Sequence, residues 1–191
     1  MPTARRPSNC SSALPVDLYW HARPDEDRLS EHVDAMTDAL MDVVTAPAER
    51  RWNPYNETMA RREFRHRLVE ASRGALAPVD HVKSIEHPLA AEMFEVRWQN
   101  VRVTEAQADG RVRHRDVQVR LLHAEPQALG VVAVGLHAHE KLVVPGDARA
   151  TRAAQDTEIA HAAAVYATTL PAWLARSPAQ PLRRDLDEAI G

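Results

Sequence analysis

The chain has one cysteine, Cys10, in 191 residues. No internal disulfide framework can form, and a reducing compartment, the cytoplasm, is expected. Glycine is scarce, with six residues, and lysine scarcer: Lys83 and Lys141 are the only two among 24 basic residues. Arginine therefore carries the positive charge, and its planar fork suits bidentate contact with phosphate. No glycine-rich phosphate loop, Gly-x-Ser-x-Gly elbow, Cys-x-x-Cys pair or His-Glu-x-x-His helix occurs. The common cofactor and hydrolase classes are disfavoured accordingly. No apolar run reaches the roughly 20 residues that span a bilayer, so no membrane partner is expected. The opening MPTARRPSNCSSALP lacks the continuous apolar core of a secretory signal. Nor is there an excess of charge: the net value is -3 at pH 7. A nucleic-acid partner would need a local basic patch.

What is present reads as one α+β domain. Residues 1–15 are rich in Pro and Ser and are expected to be a disordered tail. The domain is expected over 16–176, with a polar tail over 177–191 and a marginal helix near 186–190. Val16 to Trp20 is an apolar opening edge strand. Asp25 and Asp27 offer N-cap oxygens to a helix whose stripe is Leu29, Val33, Met36, Leu40 and Val43. Pro47 ends it. A second helix is expected from a cap at Asn56 to Arg73, with Gly74 as its C′ residue. Its apolar face is Ala60, Phe64, Leu68 and Ala71. Its other face, Arg61, Arg62, Arg65 and Arg67, is either a solvated surface or one that meets RNA or a protein. Three strands follow. In Phe94 to Trp98, apolar and polar side chains alternate, and the parity flips by Val101, which points to a bulge near Gln99 and Asn100. Asp109-Gly110 marks a hairpin turn. Val112 to Ala124 is the next strand. Val131 to His139 is nearly all apolar at first and should be central. A last helix runs from Ala150 to Thr169 and stops at Pro171. The expected order is β-α-α-β-β-β-α: a small antiparallel sheet packed against an N-terminal helical hairpin, with a C-terminal helix.

Arg97 and Arg120 stand mid-strand on the face opposite the local apolar stripe. They are surface arginines paired with neighbours such as Glu95 or Asp116, or they are phosphate contacts. His137 and His139, two apart on a strand, share a face. Three roles fit them: structural strand-end histidines, metal ligands, or general acid and base on a ribose 2′-OH and a leaving 5′-oxygen. Metal ligation needs further ligands, for which His123 and Glu125 are the candidates. Arg149, Thr151, Arg152 and Gln155 gather at the start of the last helix, where free N–H groups favour an anion.

An opening strand, two helices, and three strands with arginines on the first two resemble the RelE/ParE superfamily, and more specifically HigB-like toxins of bacterial and phage toxin–antitoxin modules. Glu95-Val96-Arg97, Arg120, the run Leu136-His137-Ala138-His139-Glu140-Lys141 and the segment from Arg152 to the Glu158-Ile159 pair carry the resemblance. The chain is longer than is usual for such toxins and slightly acidic where they are basic. The resemblance implies a metal-independent endoribonuclease that cleaves mRNA, often on the ribosome, without a cofactor. A cognate helix-turn-helix antitoxin would mask it. His137 or His139 would be base or acid; Arg97, Arg120 and Lys141 would hold the phosphate. Arg102, Arg113, Arg149 and Arg152 would bind substrate. The alternatives are a catalytically silent protein of this fold that binds a protein partner, and a small His-ligated metalloenzyme.

Overall fold

The stripe Leu29, Val33, Met36 and Leu40 is buried on one face of α1 (Leu29–Thr45). The computed structural model describes residues 6–175 and 181–186. The N-cap position of α1 is Arg28, and no side chain of that residue caps it. Asp25 and Asp27 do not serve as caps. The oxygens come instead from Asp185, whose carboxylate accepts from the N–H of Ser30 at 2.9 Å and from its Oγ at 2.6 Å. A cap from 155 residues away is beyond any local pattern. α2 (Pro54–Ser72) starts two residues before the expected cap. Asn53 is its N-cap, accepting from Asn56 N–H, with Pro54 in the first turn. Gly74 follows its end at φ +66°, the left-handed conformation expected of a C′ glycine. Phe64, Leu68 and Ala71 are buried, and Phe64 meets Trp98 edge to face at 5.4 Å. Arg61 and Arg65 cross to Asp38 and Asp34 of α1.

The sheet order is β1-β5-β4-β3-β2. β1 (Asp17–Trp20) lies at one edge and β2 (Val82–Ser84), a short strand beyond the expected set, at the other. β3 (Met93–Ala106), β4 (Val112–Ala124) and β5 (Val132–Glu140) form the interior. All neighbours are antiparallel except β1 and β5, which run parallel, so the sheet is mixed. The α+β class and the central place of β5 agree with the sequence. So does the bulge in β3, where register shifts between Trp98 and Val101. A second irregularity leaves Leu136 of β5 without a register partner, between Gly135 and His137. At Gly135 a Cβ would come within 2.8 Å of Met36 Sδ and 3.0 Å of the Trp20 ring, so α1 lies close over β5 there.

Two apolar clusters sandwich the sheet. α1 and α2 cover the face that carries Val96, Trp98, Val119 and Leu121. α3 (Ala148–Ala175) covers the other, through Leu122, Val134, Leu136, Ile159 and Trp173. Pro171 does not end this helix; it sits inside it. The Thr169 hydroxyl donates back to the Val165 carbonyl, and Trp173 beyond the proline packs on Tyr19 at 4.7 Å. That tertiary anchor offsets the missing proline N–H.

The segment 6–15 is packed, contrary to its reading as a disordered tail. It makes a short 3-10 helix (Asn9–Ser11) with Cys10 fully buried. Of the expected C-terminal tail, 181–186 docks beside α1 with Leu182 and Leu186 buried. The expected tail residues 1–5, 177–180 and 187–191, and with them all but the first residue of the helix near 186–190, lie outside the described residues. No helix among the described residues is long and apolar enough to cross a membrane.

Candidate functional site

Antiparallel register sets Arg97 of β3, Arg120 of β4 and His139 of β5 side by side in one row. The next row holds Glu95, Leu122 and His137. Both rows face α3, whose Glu158 and His161 meet them. Lys141 continues the β5 alternation past His139, and its N–H donates to the Gln118 carbonyl. The five expected catalytic residues therefore share one face.

Their states differ from one another. Arg120 is fully buried. Its Nη1 donates to the carbonyls of Trp98 and Val119, and its Nη2 to the side-chain oxygens of Gln99 and Gln118. Its Nε lies 3.6 Å from Glu95. Burial, with Arg97 nearby, brings its pKa down to about 10 against the pull of Glu95. Arg120 thus remains a cation, but its fork is spent inside the protein. Arg97 lies 3.4 Å from the same Glu95 and donates to the Val79 carbonyl. Val79 is a β-branched residue at φ +68°, an uncommon conformation outside turns. Lys141 is lowered in pKa by burial and by Arg120, with Arg97 and Lys83 also repelling its charge and Glu95 attracting it. Arg97 and Arg120 thus pair with one carboxylate while Lys83 and Lys141 lie close by, a local excess of positive charge in a chain that is net negative.

Beside this patch stand the imidazoles. His139 is 7% exposed, and its Nδ1 has no hydrogen-bond partner among the described residues. Burial and the cations around it lower its pKa to about 4, so it is neutral at pH 7. The His137 ring stacks on it, with centroids 5.7 Å apart and planes 10° from parallel. His137 Nε2 lies 2.6 Å from Glu158 Oε2. The His161 ring is 4.5 Å from His137. His21, just past β1, has its pKa lowered by burial and then by His161 and His137.

The expected substrate-binding arginines are scattered. Arg102 shares the site face but lies beyond the bulge, paired with Asp116 at 3.2 Å. Arg113 alternates with Arg115 and Val117, which puts it on the helical-hairpin face, away from the site. Arg149 and Arg152 are exposed in the first turns of α3. Further down that helix, Ala154, Gln155 and Glu158 line a small hollow of about 20 Å³ with His139 and Lys141.

His123 and Glu125 do not join His137 and His139. They lie toward the N-terminal segment. There His123 Nε2 is 3.1 Å from Glu125 Oε1 and 3.8 Å from Cys10 Sγ. Sequence reasoning missed Glu158, His161 and His21 as site residues. The signal was there for the first two: they are three apart and flank the buried Ile159 and Ala162, so they border the face that α3 turns to the sheet. Neither a protein-family model, nor a curated protein, nor a solved structure matches this chain.

Proposed function

We propose that this protein is a metal-independent endoribonuclease of the RelE/ParE type, the toxin of a type II toxin–antitoxin pair, acting on mRNA in the cytoplasm. The observation that carries this is the meeting of Arg97 and Arg120 at the carboxylate of Glu95, with Lys83 and Lys141 close by, beside two stacked imidazoles. A phosphodiester needs its negative charge offset and two proton transfers made at opposite oxygens. In this proposal His139 accepts the proton of the ribose 2′-OH. The 2′-oxygen attacks the adjacent phosphorus, and the bond from phosphorus to the 5′-oxygen breaks. His137, held by Glu158, gives a proton to that leaving oxygen. A 2′,3′-cyclic phosphate and a 5′-hydroxyl result, with one proton taken and one returned. Lys141 and Arg97 offset the charge on the non-bridging oxygens. Arg120 works through Glu95 and the strand carbonyls and is a positioning residue. Arg149 and Arg152 would take flanking phosphates, and Arg113 has no part. A cognate antitoxin and the ribosome complete the proposal as partners.

The test uses purified protein, RNA and a chelator, with and without ribosomes. Wild-type protein should cut RNA and leave a cyclic phosphate, and a 2′-deoxy sugar at the cut position should block it. His139→Ala and Lys141→Ala should each lose at least about 100-fold in rate while melting as cooperatively as the wild type. Intact RNA in both settings, with folded wild-type protein, would overturn the proposal.

A further inference from the structure

The imidazole cluster beside the basic patch has a second chemistry. β5 offers His137-x-His139, and α3 faces it with Glu158-x-x-His161. Ligand atoms of His137, His139 and Glu158 all lie within 4.8 Å of one another. His161 stands against His137 on the α3 side. Residues two apart on a strand share a face, and residues three apart on a helix do too. Two rigid elements packed against each other thus bring two nitrogens and one carboxylate to a common volume. Imidazole and carboxylate together suit zinc and its first-row neighbours, rather than magnesium or calcium.

We infer that His137, His139 and Glu158 form a site for a divalent transition-metal ion of the zinc class, with the fourth position left to a solvent molecule. His139 supports this independently of spacing. Its Nδ1 is buried with no hydrogen bond among the described residues, a lone pair or N–H left without a partner where such groups normally find one. Nitrogens at about 2.0–2.1 Å from a tetrahedral ion stand about 3.3 Å apart. Entry of the ion therefore replaces the 2.6 Å hydrogen bond from His137 to Glu158, which opens slightly, while the other ligand atoms draw in. The cations Arg120 and Lys141 lie close enough to oppose the ion's charge. A site of modest affinity follows, one that responds to metal supply instead of holding an ion permanently.

The site has a consequence that rests on the ribonuclease proposal. The ion takes the lone pairs that proton transfer requires, so occupancy switches cleavage off. Metal binding itself does not depend on that proposal.

The experiment is a titration of chelator-stripped full-length protein with Co²⁺, read by the visible absorption of a low-symmetry four-coordinate complex, followed by displacement with Zn²⁺. A single equivalent should bind. His139→Ala and Glu158→Gln should each weaken binding at least about ten-fold. His66→Ala, changed at an exposed position of α2, should bind as the wild type does. Glu158 lies partly exposed, so Glu158→Gln tests the site without opening the core. No such band in the wild type, or equal affinity in wild type and Glu158→Gln, overturns the site. Cleavage is read separately. Activity in chelator that falls with one equivalent of Zn²⁺ supports both ideas. Metal binding without any cleavage leaves the site standing and removes the ribonuclease proposal. Cleavage without metal binding does the reverse.

Discussion

Arg120 shows how much a buried guanidinium can hold together. It ties β3 to β4 through the Trp98 carbonyl, next to the β3 bulge, and it lies beside Glu95. Arg97 still stands beside Glu95 when Arg120 is removed, so the loss falls on the two carbonyls and two amide oxygens that Arg120 serves, a buried acceptor left unmet costing about 1–3 kcal/mol. Arg120→Ala should therefore lower unfolding stability by about 3 kcal/mol in urea melts, whereas Lys141→Ala should cost less than about 1 kcal/mol. Equal, small losses would show that Arg120 is not structural. Loss of cleavage in Arg120→Ala then says little about chemistry by itself, and Lys141→Ala is the cleaner probe. The shared face of Arg97, Arg120, His137 and His139 was legible from period-two alternation. The spending of the Arg120 fork was not, because Gln99, Gln118 and two carbonyls reach it only after the bulge has turned the strand. Glu158 and His161 were half legible: their spacing is local, but their partners on β5 are set by tertiary packing.

At the scale of elements, amphipathic periods read well and long-range anchors did not. α1 and α2 announce themselves by their stripes, and the β3 bulge by its change of parity. The irregularity at Leu136 is hidden because Val132 to Leu136 is apolar on both faces. Segment 6–15 has no period at all, yet it is clamped. Arg6 donates to the Glu125 carboxylate and carbonyl, and Ser8 Oγ and Asn9 N–H donate to the same carboxylate. Burial alone would raise the Glu125 carboxyl; His123, Ser8 and Asn9 outweigh it and leave its pKa below the usual value. Burial also works against charge on His123, but Cys10 and Glu125 lift its pKa to about 10. The signs fix a window. The Glu125 contribution is in place above its unfolded value of 4.5 and fades as pH falls below it. The His123 contribution is in place below 6.5 and is lost as pH rises through about 10. The clamp's contribution to thermal stability should thus be greatest between about pH 4.5 and 6.5 and decline on the alkaline side. Glu125→Gln should flatten that decline in melts across pH. A variant that keeps the wild-type slope would show that the clamp does not titrate.

Across the whole molecule, sequence-distant segments meet at several places. β1 pairs in parallel with β5, Asp17 opposite Val132, and the clamp joins residue 6 to residue 125. Such pairings must wait for chain closure, whereas the β3–β4 hairpin and the α1–α2 pair are local. Ribosome-arrested chains ending before β5 should leave residues 6–20 open to protease, and chains with β5 and α3 outside the exit tunnel should protect them. Protection in the shorter chains would refute this order. The row Arg97–Arg120–His139 matures in the same sequence. Translation delivers the arginines first and joins them in a hairpin, and the imidazoles arrive on the last strand. A nascent chain cut short before His137 carries Arg97 and Arg120 without the imidazoles that transfer the protons. In the ribonuclease proposal, a half-made copy is harmless to the messenger that encodes it.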